Sequence, residues 1–225
     1  MAQFPSTTSA SGLWSLKKQK RAQQGGNWPP LGGVDAYFNY VTALLPGNGT
    51  NGAQNNTFLD SSTNNFSITR NGNTTQGTFS PYGSNWSNYF DGSGDYLTVA
   101  SNAALGMGSG DFTVELWFYY TATPSNEFLF DFRYGGGSLL AAAAGTFGVD
   151  VYVGAGNRTG GTVAANTWYH LAVTRSGSTC YVFLNGTQVG ATFSDSTSLA
   201  TGGVSIASRF NVPTQVFPGY ISNFR

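Results

Sequence analysis

Charge is what this sequence has least of. Asp, Glu, Lys and Arg make up 9% of its 225 residues, against ~25% in an ordinary soluble domain. Ten acids balance ten bases, and no basic stripe of the kind a nucleic-acid binder carries runs through the main body. Cysteine occurs once, at Cys180, which excludes a disulfide framework within the chain. Histidine also occurs once, at His170, and one of each cannot fill a closed zinc site. Glutamate is limited to Glu115 and Glu127, and no lysine follows Lys20. No uninterrupted apolar stretch approaches the roughly 18 residues of a membrane span. The start, MAQFPSTTSASG, lacks the charged segment and apolar run of a signal peptide.

What fills the chain is aromatic, small and uncharged. Aromatic residues reach 15%, apolar residues 40%, and glycine occurs 31 times. A substantial core can be built from this, within the size range of a single all-β domain. Solubility has to rest on Asn, Ser, Thr and Gly.

The pattern from Tyr37 onward is strands and turns. In FTVELWFYY, Phe112, Val114, Leu116, Phe118 and Tyr120 fall on one face, and Asp111, Thr113, Glu115, Trp117 and Tyr119 on the other. That period of two predicts a half-buried strand. NEFLFDFRY predicts a second strand, with Phe128, Phe130, Phe132 and Tyr134 together. FGVDVYV predicts a third, with Phe147, Val149, Val151 and Val153 together. Asn185-Gly186 between CYVFL and TQVGA reads as a two-residue hairpin turn, since both residues tolerate positive φ. Ser176-Gly177-Ser178 joins that hairpin to WYHLAVTR. Ala141–Ala144 is the one helix-like run and is too short for a helix. The fold class read from this is all-β, a two-sheet antiparallel sandwich.

Four segments carry a family resemblance: YFDGSGDYLTV (89–99), GDFTVELWF (110–118), NTWYHLAVTRSGSTCYVFLNGTQVG (166–190) and GYISNFR (219–225). Together they resemble laminin-G-like, concanavalin A-like jelly-roll domains. The stretch 43–81 is similar to the first strands of such domains in bacteriophage virion proteins. The resemblance implies a jelly-roll over 37–225, with a last strand beyond Arg225 missing or supplied by a neighbouring subunit. It also implies a framework role for His170, and Trp168 is read as structural.

A glycosidase needs paired carboxyl groups about 5–5.5 Å or 6.5–9.5 Å apart. Glu127 and Asp131 share a strand but stand roughly 13 Å apart along it, and the Glu-x-Asp-x-Glu spacing of related glucanases is absent. The chain is therefore read as no enzyme. No cofactor is expected. Calcium remains open, since the resembled domains hold it with Asp carboxylates and backbone carbonyls. Asp91, Asp95, Asp111 and Asp131 are the candidates, with turn chemistry as the plainer role of Asp91 and Asp95. A glycan platform is the sharper possibility: Glu115, Trp117 and Tyr119, joined by Asp131 and Arg133 if their strands are neighbours. Against it stands the plainer role of Trp117 as a second-layer core residue under a loop.

Residues 1–36 differ from the rest. Ser11 is a candidate cap for a short helix from Gly12 to Gln24, with Leu13, Trp14 and Leu16 apolar ahead of Lys17, Lys18, Lys20 and Arg21. Trp28 precedes Pro29-Pro30 and an extended segment. Such a helix orders only by docking, so 1–36 is read as an anchoring arm. The functional expectation is a non-enzymatic virion structural or adhesion protein of a phage, a tail fibre or tail-associated protein. In it the arm grips other virion proteins and the sandwich faces a host-surface glycan. It would be made in the host cytoplasm and act outside it. A homo-oligomer, with a trimer as one arrangement, is expected; nucleic acid and membrane insertion are not. A stand-alone lectin and a purely architectural decoration protein are the alternatives.

Overall fold

The computed structural model describes residues 37–47, 57–82, 86–200, 202–210 and 215–225. The anchoring residues expected between Leu13 and Trp28, and the helix read over them, lie outside the described residues. Fifteen strands are formed among the described residues. The first seven are β1 (Ile68–Asn71), β2 (Thr75–Gly77), β3 (Ser87–Asp91), β4 (Tyr96–Val99), β5 (Phe112–Tyr120), β6 (Glu127–Asp131) and β7 (Leu140–Gly145). The remainder are β8 (Gly148–Val153), β9 (Gly156–Gly160), β10 (Trp168–Ser176), β11 (Thr179–Leu184), β12 (Thr187–Gln188), β13 (Phe193–Ser194), β14 (Val204–Ile206) and β15 (Pro218–Ser222). Among the described residues, helix is limited to three short 3₁₀ turns.

The strands divide into two antiparallel sheets. The smaller runs β1-β4-β14-β6-β7-β8-β9, and the larger β12-β11-β10-β5-β15-β3-β2, with β13 paired to β11. They face one another as a sandwich, which is the fold class expected from the sequence. The larger sheet is organised around β5. Its Val114, Leu116, Phe118 and Tyr120 are at most 2% exposed. The Phe118 ring stacks on Tyr169 at 5.5 Å, and Tyr120 meets Phe217 edge-on at 4.6 Å. From the smaller sheet, Val149, Val151 and Val153 of β8 enter the same core, each fully buried. The expected hairpin forms at Asn185-Gly186, with φ of 52° and 75°, between β11 and β12.

Two local expectations are corrected. The alternation read through 126–134 breaks at a bulge: register shifts between Phe128 and Phe130. Leu129, Phe130 and Phe132 join the main core, whereas Phe128 turns to the outer face and packs with Leu139, Ala141 and Ala143. The alanine run, too short for a helix, forms strand β7, every residue of which is buried. Its small side chains suit a strand covered on both faces, where Ala142 and Ala144 meet the core and Ala141 and Ala143 the outer cluster. Phe147 precedes β8 and is 37% exposed, so it does not continue that strand's apolar face.

Among the described residues, the largest fully buried side chain is a charged one, Arg175 at the end of β10. Its Nε donates to Gly110 O at 3.0 Å, Nη1 to Thr197 O at 2.8 Å and Nη2 to Gly108 O at 2.6 Å. Asp195 lies 3.7 Å away, and the Phe112 ring 5.0 Å beneath the guanidinium. One side chain thereby fastens the loop entering β5 to the loop leaving β13. Removing a buried charge strands its partners. Arg175→Leu is expected to cost about 3–5 kcal/mol in urea unfolding, and Arg175→Lys to recover only part, because an ammonium cannot reproduce the planar fork.

Candidate functional site

The pleat that sends β5's apolar residues inward sends Glu115, Trp117 and Tyr119 to the outer face of the larger sheet. Register then decides their company. Tyr119 is paired with Trp168 of β10 on one side and Tyr220 of β15 on the other, and Tyr220 is paired with Tyr89 of β3. Four aromatic side chains thus stand in one row across four adjacent strands, a length of roughly 14 Å at normal strand spacing. All four are half-buried. Tyr89 and Tyr220 are 4.9 Å apart between centroids, and Tyr119 and Trp168 5.5 Å. Phe79 reaches over the row, 4.8 Å from Tyr119 and Tyr220 and 5.5 Å from Trp168, while itself 43% exposed. The Tyr119 hydroxyl lies 3.3 Å from Asn166 Oδ1, and the Trp168 indole N–H is shielded without a partner.

One step along the strands the face changes character. Trp117 is only 8% exposed and lies beneath Tyr82, ring centroids 5.4 Å apart. It is a covered second layer rather than an open ring. His170 is paired with it across β10 and β5. Beyond it, Glu115 Oε2 is 3.2 Å from His170 Nε2, and Oε1 is held by the Arg225 guanidinium. Arg225 is brought there by backbone bonds in both directions with Glu115, of 2.8 and 2.9 Å. Burial would raise the Glu115 carboxyl, but the bonds and charges of His170 and Arg225 outweigh it and hold the group at about 2. A carboxylate so stabilised is a fixed anion, not a proton donor near neutral pH.

Asp131 and Arg133 are not part of this face. β6 belongs to the smaller sheet, so the condition that would have joined them to Trp117 and Tyr119, neighbouring strands, is not met. The polypeptide crosses from one sheet to the other between β5 and β6. Asp131 is fully buried on the outer side of the smaller sheet, where it accepts from Arg133 Nε at 2.9 Å and Nη2 at 2.5 Å. The Arg133 guanidinium lies 4.7 Å from the Phe210 ring. Nearby, Tyr152 hydrogen-bonds Asp150, which pushes its phenol up to about 12 with help from burial.

The four aspartates considered for calcium are dispersed into backbone-capping work. Asp95 accepts from the N–H groups of Asn73 at 2.6 Å and Asp91 at 3.1 Å, and Asp91 from Ser93 N–H at 2.7 Å. Asp111 accepts from Gly177 N–H at 2.7 Å. Among the described residues, no three His, Cys, Asp or Glu side chains gather as a metal-binding group. Sequence reasoning missed Tyr89, Tyr220 and Phe79, and it gave Trp168 a purely structural role. The period of two announces which face a residue takes, but row partners depend on inter-strand register.

The lowered Glu115 carboxyl has a pH consequence. Its value in the unfolded chain is near 4.5 and in the folded chain about 2, so its stabilisation is complete above the upper value and lost as pH falls through the lower one. With half-exposed Arg225 as one partner, the effect is about 1–3 kcal/mol. Glu115→Gln is expected to lower the thermal midpoint at pH 6, and the gap from the unaltered protein should close by pH 2.

Comparisons with known proteins agree with this architecture. A family model described as the concanavalin A-like lectin/glucanases superfamily matches residues 91–225. No curated protein sequence matches the chain. Among solved structures, it is similar to domain 4 of AbnA, an extracellular arabinanase from Geobacillus stearothermophilus, in complex with arabinotriose. The TM-score is 0.55 at 18% identity, with 74% of this chain and 84% of that one covered. It is similar to the binding domain of botulinum neurotoxin serotype G, with TM-score 0.56, 11% identity, and 81% and 46% coverage. It is also similar to Trypanosoma rangeli sialidase in complex with sialic acid, with TM-score 0.56, 13% identity, and 81% and 30% coverage. The chain therefore spans most of the arabinanase domain but less than half of the toxin domain and under a third of the sialidase. At these identities the likeness is one of fold. With 91–225 matched, on two facing antiparallel sheets, the chain belongs to the concanavalin A-like lectin/glucanase superfamily.

Proposed function

We propose that this protein is a carbohydrate-binding domain without catalytic activity, and that it holds its glycan on the outer face of the larger sheet. The observation that carries the reading is the row Trp168–Tyr119–Tyr220–Tyr89, half-exposed and in register, with Phe79 laid against it. Sugar rings offer apolar faces and hydroxyl edges. Aromatic side chains meet the first with large contact area, and tyrosine hydroxyls meet the second. A contiguous, partly exposed aromatic patch on a surface with little charge is a candidate contact site. Two similar structures contain arabinotriose and sialic acid, which favours a sugar over other ligands for such a patch.

The non-enzymatic part of the reading rests on how the acids are used. Glu115 is clamped between His170 and Arg225, and Asp131 is buried against Arg133. Neither is available as an acid–base partner. We further propose that the domain is displayed on a phage particle, as an adhesion protein attached through residues 1–36. The similarity of 43–81 to virion proteins and the distinct apolar-then-basic composition of 1–36 support this. Display in several copies would raise the avidity of a weak glycan contact.

A glycan array probed with the full chain tests the central reading. Binding is expected, and Trp168→Ala and Tyr220→Ala should each weaken it about tenfold while leaving thermal unfolding nearly unchanged. Blank arrays would overturn the reading in favour of an architectural role. Deleting 1–36 should spare array binding but abolish incorporation into particles. Retained incorporation would remove the anchoring role.

A further inference from the structure

A cleft of about 380 Å³ opens at one end of the sandwich. Its walls are the β3–β4 turn at Gly92–Gly94, the approach to β6 at Ser125–Glu127, and Gln215–Val216 ahead of β15. Its volume lies in the range of small-molecule sites, and Glu127 is its one ionisable wall residue. Glu127 is held at one oxygen only. Its Oε2 accepts from Ser125 N–H at 2.8 Å and lies 3.1 Å from the Tyr120 hydroxyl, which is itself 2.7 Å from Ala144 O. Tyr120 is fully buried, and burial together with the Glu127 carboxylate pushes its phenol upward, so it stays a neutral support. Among the described residues, none bonds Oε1.

The other groups on the wall are uncharged hydrogen-bonders. Gln215 Nε2 donates to Asn126 O at 3.2 Å, which fixes two walls of the cleft against each other. Among the described residues, none bonds the Asn126 side-chain amide or the hydroxyls of Ser93 and Ser125, which also line the cleft. A carboxylate oxygen can only accept, so the complement of this wall is a ligand rich in hydroxyl donors. Among the described residues no cation lines the cleft, so an anionic ligand would face Glu127 uncompensated. The position is informative too. Tyr89 and Tyr220 of the aromatic row lie three residues before Gly92 and four after Val216, so row and cleft sit at the same end of the larger sheet, roughly 10 Å apart along the strands.

We propose that this cleft binds an uncharged sugar residue through its hydroxyls, with Glu127 Oε1 as the anchoring acceptor, and that it makes the domain select neutral over acidic glycans. The proposal rests on the glycan-binding reading and adds to it a second contact and a charge specificity. A sugar reaching over the rim would lie on the rings at one end and present a pair of hydroxyls to Glu127 at the other.

The test is calorimetric titration of the full chain with arabinotriose, maltotriose, cellotriose and trigalacturonic acid. At least one neutral trisaccharide is expected to bind, with trigalacturonic acid at least tenfold weaker. Glu127→Gln, which keeps the shape and removes the charge, should weaken the neutral sugar about tenfold or erase the discrimination. Gly94→Asn is a second route should Glu127→Gln misfold. Gly94 has φ of +75°, which Asn tolerates, and a Cβ there meets no atom within 4 Å. Its side chain should obstruct the rim and weaken binding similarly. Neutral-sugar binding that both variants leave intact while Trp168→Ala abolishes it would overturn the cleft and leave the aromatic site standing. Equal affinity for trigalacturonic acid, or no neutral trisaccharide bound, would also overturn it. Binding of some other glycan on an array through Trp168 would show that the wider reading had survived.

Discussion

A strand in the middle of a sheet must serve two environments at once, and β5 does so for this molecule. Its even-numbered residues bury against the smaller sheet, and Phe118 and Tyr120 in particular draw Tyr169 and Phe217 into the core. Burial of a large side chain is worth roughly 1.5–3 kcal/mol, and a one-residue slip would turn every one of these rings to solvent. Core packing therefore fixes the register of β5 against β10 and β15. The outer row is a consequence of that register: Trp168, Tyr119 and Tyr220 align because Tyr169, Phe118 and Ile221, their neighbours in sequence, are aligned beneath them. The candidate site is rigid for the same reason that the core is.

The scarcity of charge shapes what the surface can do. Most described ionised groups are occupied inside the fold. Arg175 spans three carbonyls and Asp195. Asp60 takes the N–H groups of Leu44, Ser62 and Phe66, and Asp131 is closed by Arg133. Loops that β-strand ladders cannot satisfy are instead tied by single carboxylates and one guanidinium, where charge-assisted bonds are strongest. Little charge is left to steer a partner from a distance. Recognition has to come from short-range contact, that is, ring faces and hydroxyl-to-acceptor bonds. Those are the interactions an uncharged polyol can make.

Much of the fold was legible in the sequence, because the strongest signals are local. The alternation of β5, the Asn185-Gly186 hairpin and the β10–β11 pair all depend on neighbours within a few residues. The candidate site was legible only in part. Tyr119, Trp117 and Glu115 were placed on the correct face, yet the rings beside Tyr119 come from strands about 30 and 50 residues before and after in sequence or a hundred away, and no period reports such pairing. Asp131 and Arg133 would have joined them had their strands been neighbours, but the polypeptide changes sheet between β5 and β6. The bulge at Leu129 was hidden in a run of apolar residues that fits either phase. Phe79 was not singled out, since its importance comes from the three rings it touches rather than from its own segment.

The two proposed contacts share an origin in topology. β3 runs toward the cleft and ends there, β15 begins there, and β5 leaves the larger sheet there to enter β6. Three strand ends converge, so three connections must separate again, and polar backbone and side chains crowd the gap between them. The same strands carry Tyr89, Tyr220 and Tyr119 one or two residues inside the sheet. A rim of uncharged donors and acceptors, with one carboxylate at its edge, is therefore bound by the fold to the end of an aromatic row. Apolar contact alone discriminates poorly between sugars, because their ring faces are alike. Hydrogen-bonding groups that would be left unpaired by the wrong partner discriminate well. A row that supplies adhesion and a rim that supplies choice would divide these tasks between the regular and the irregular parts of the same three strands.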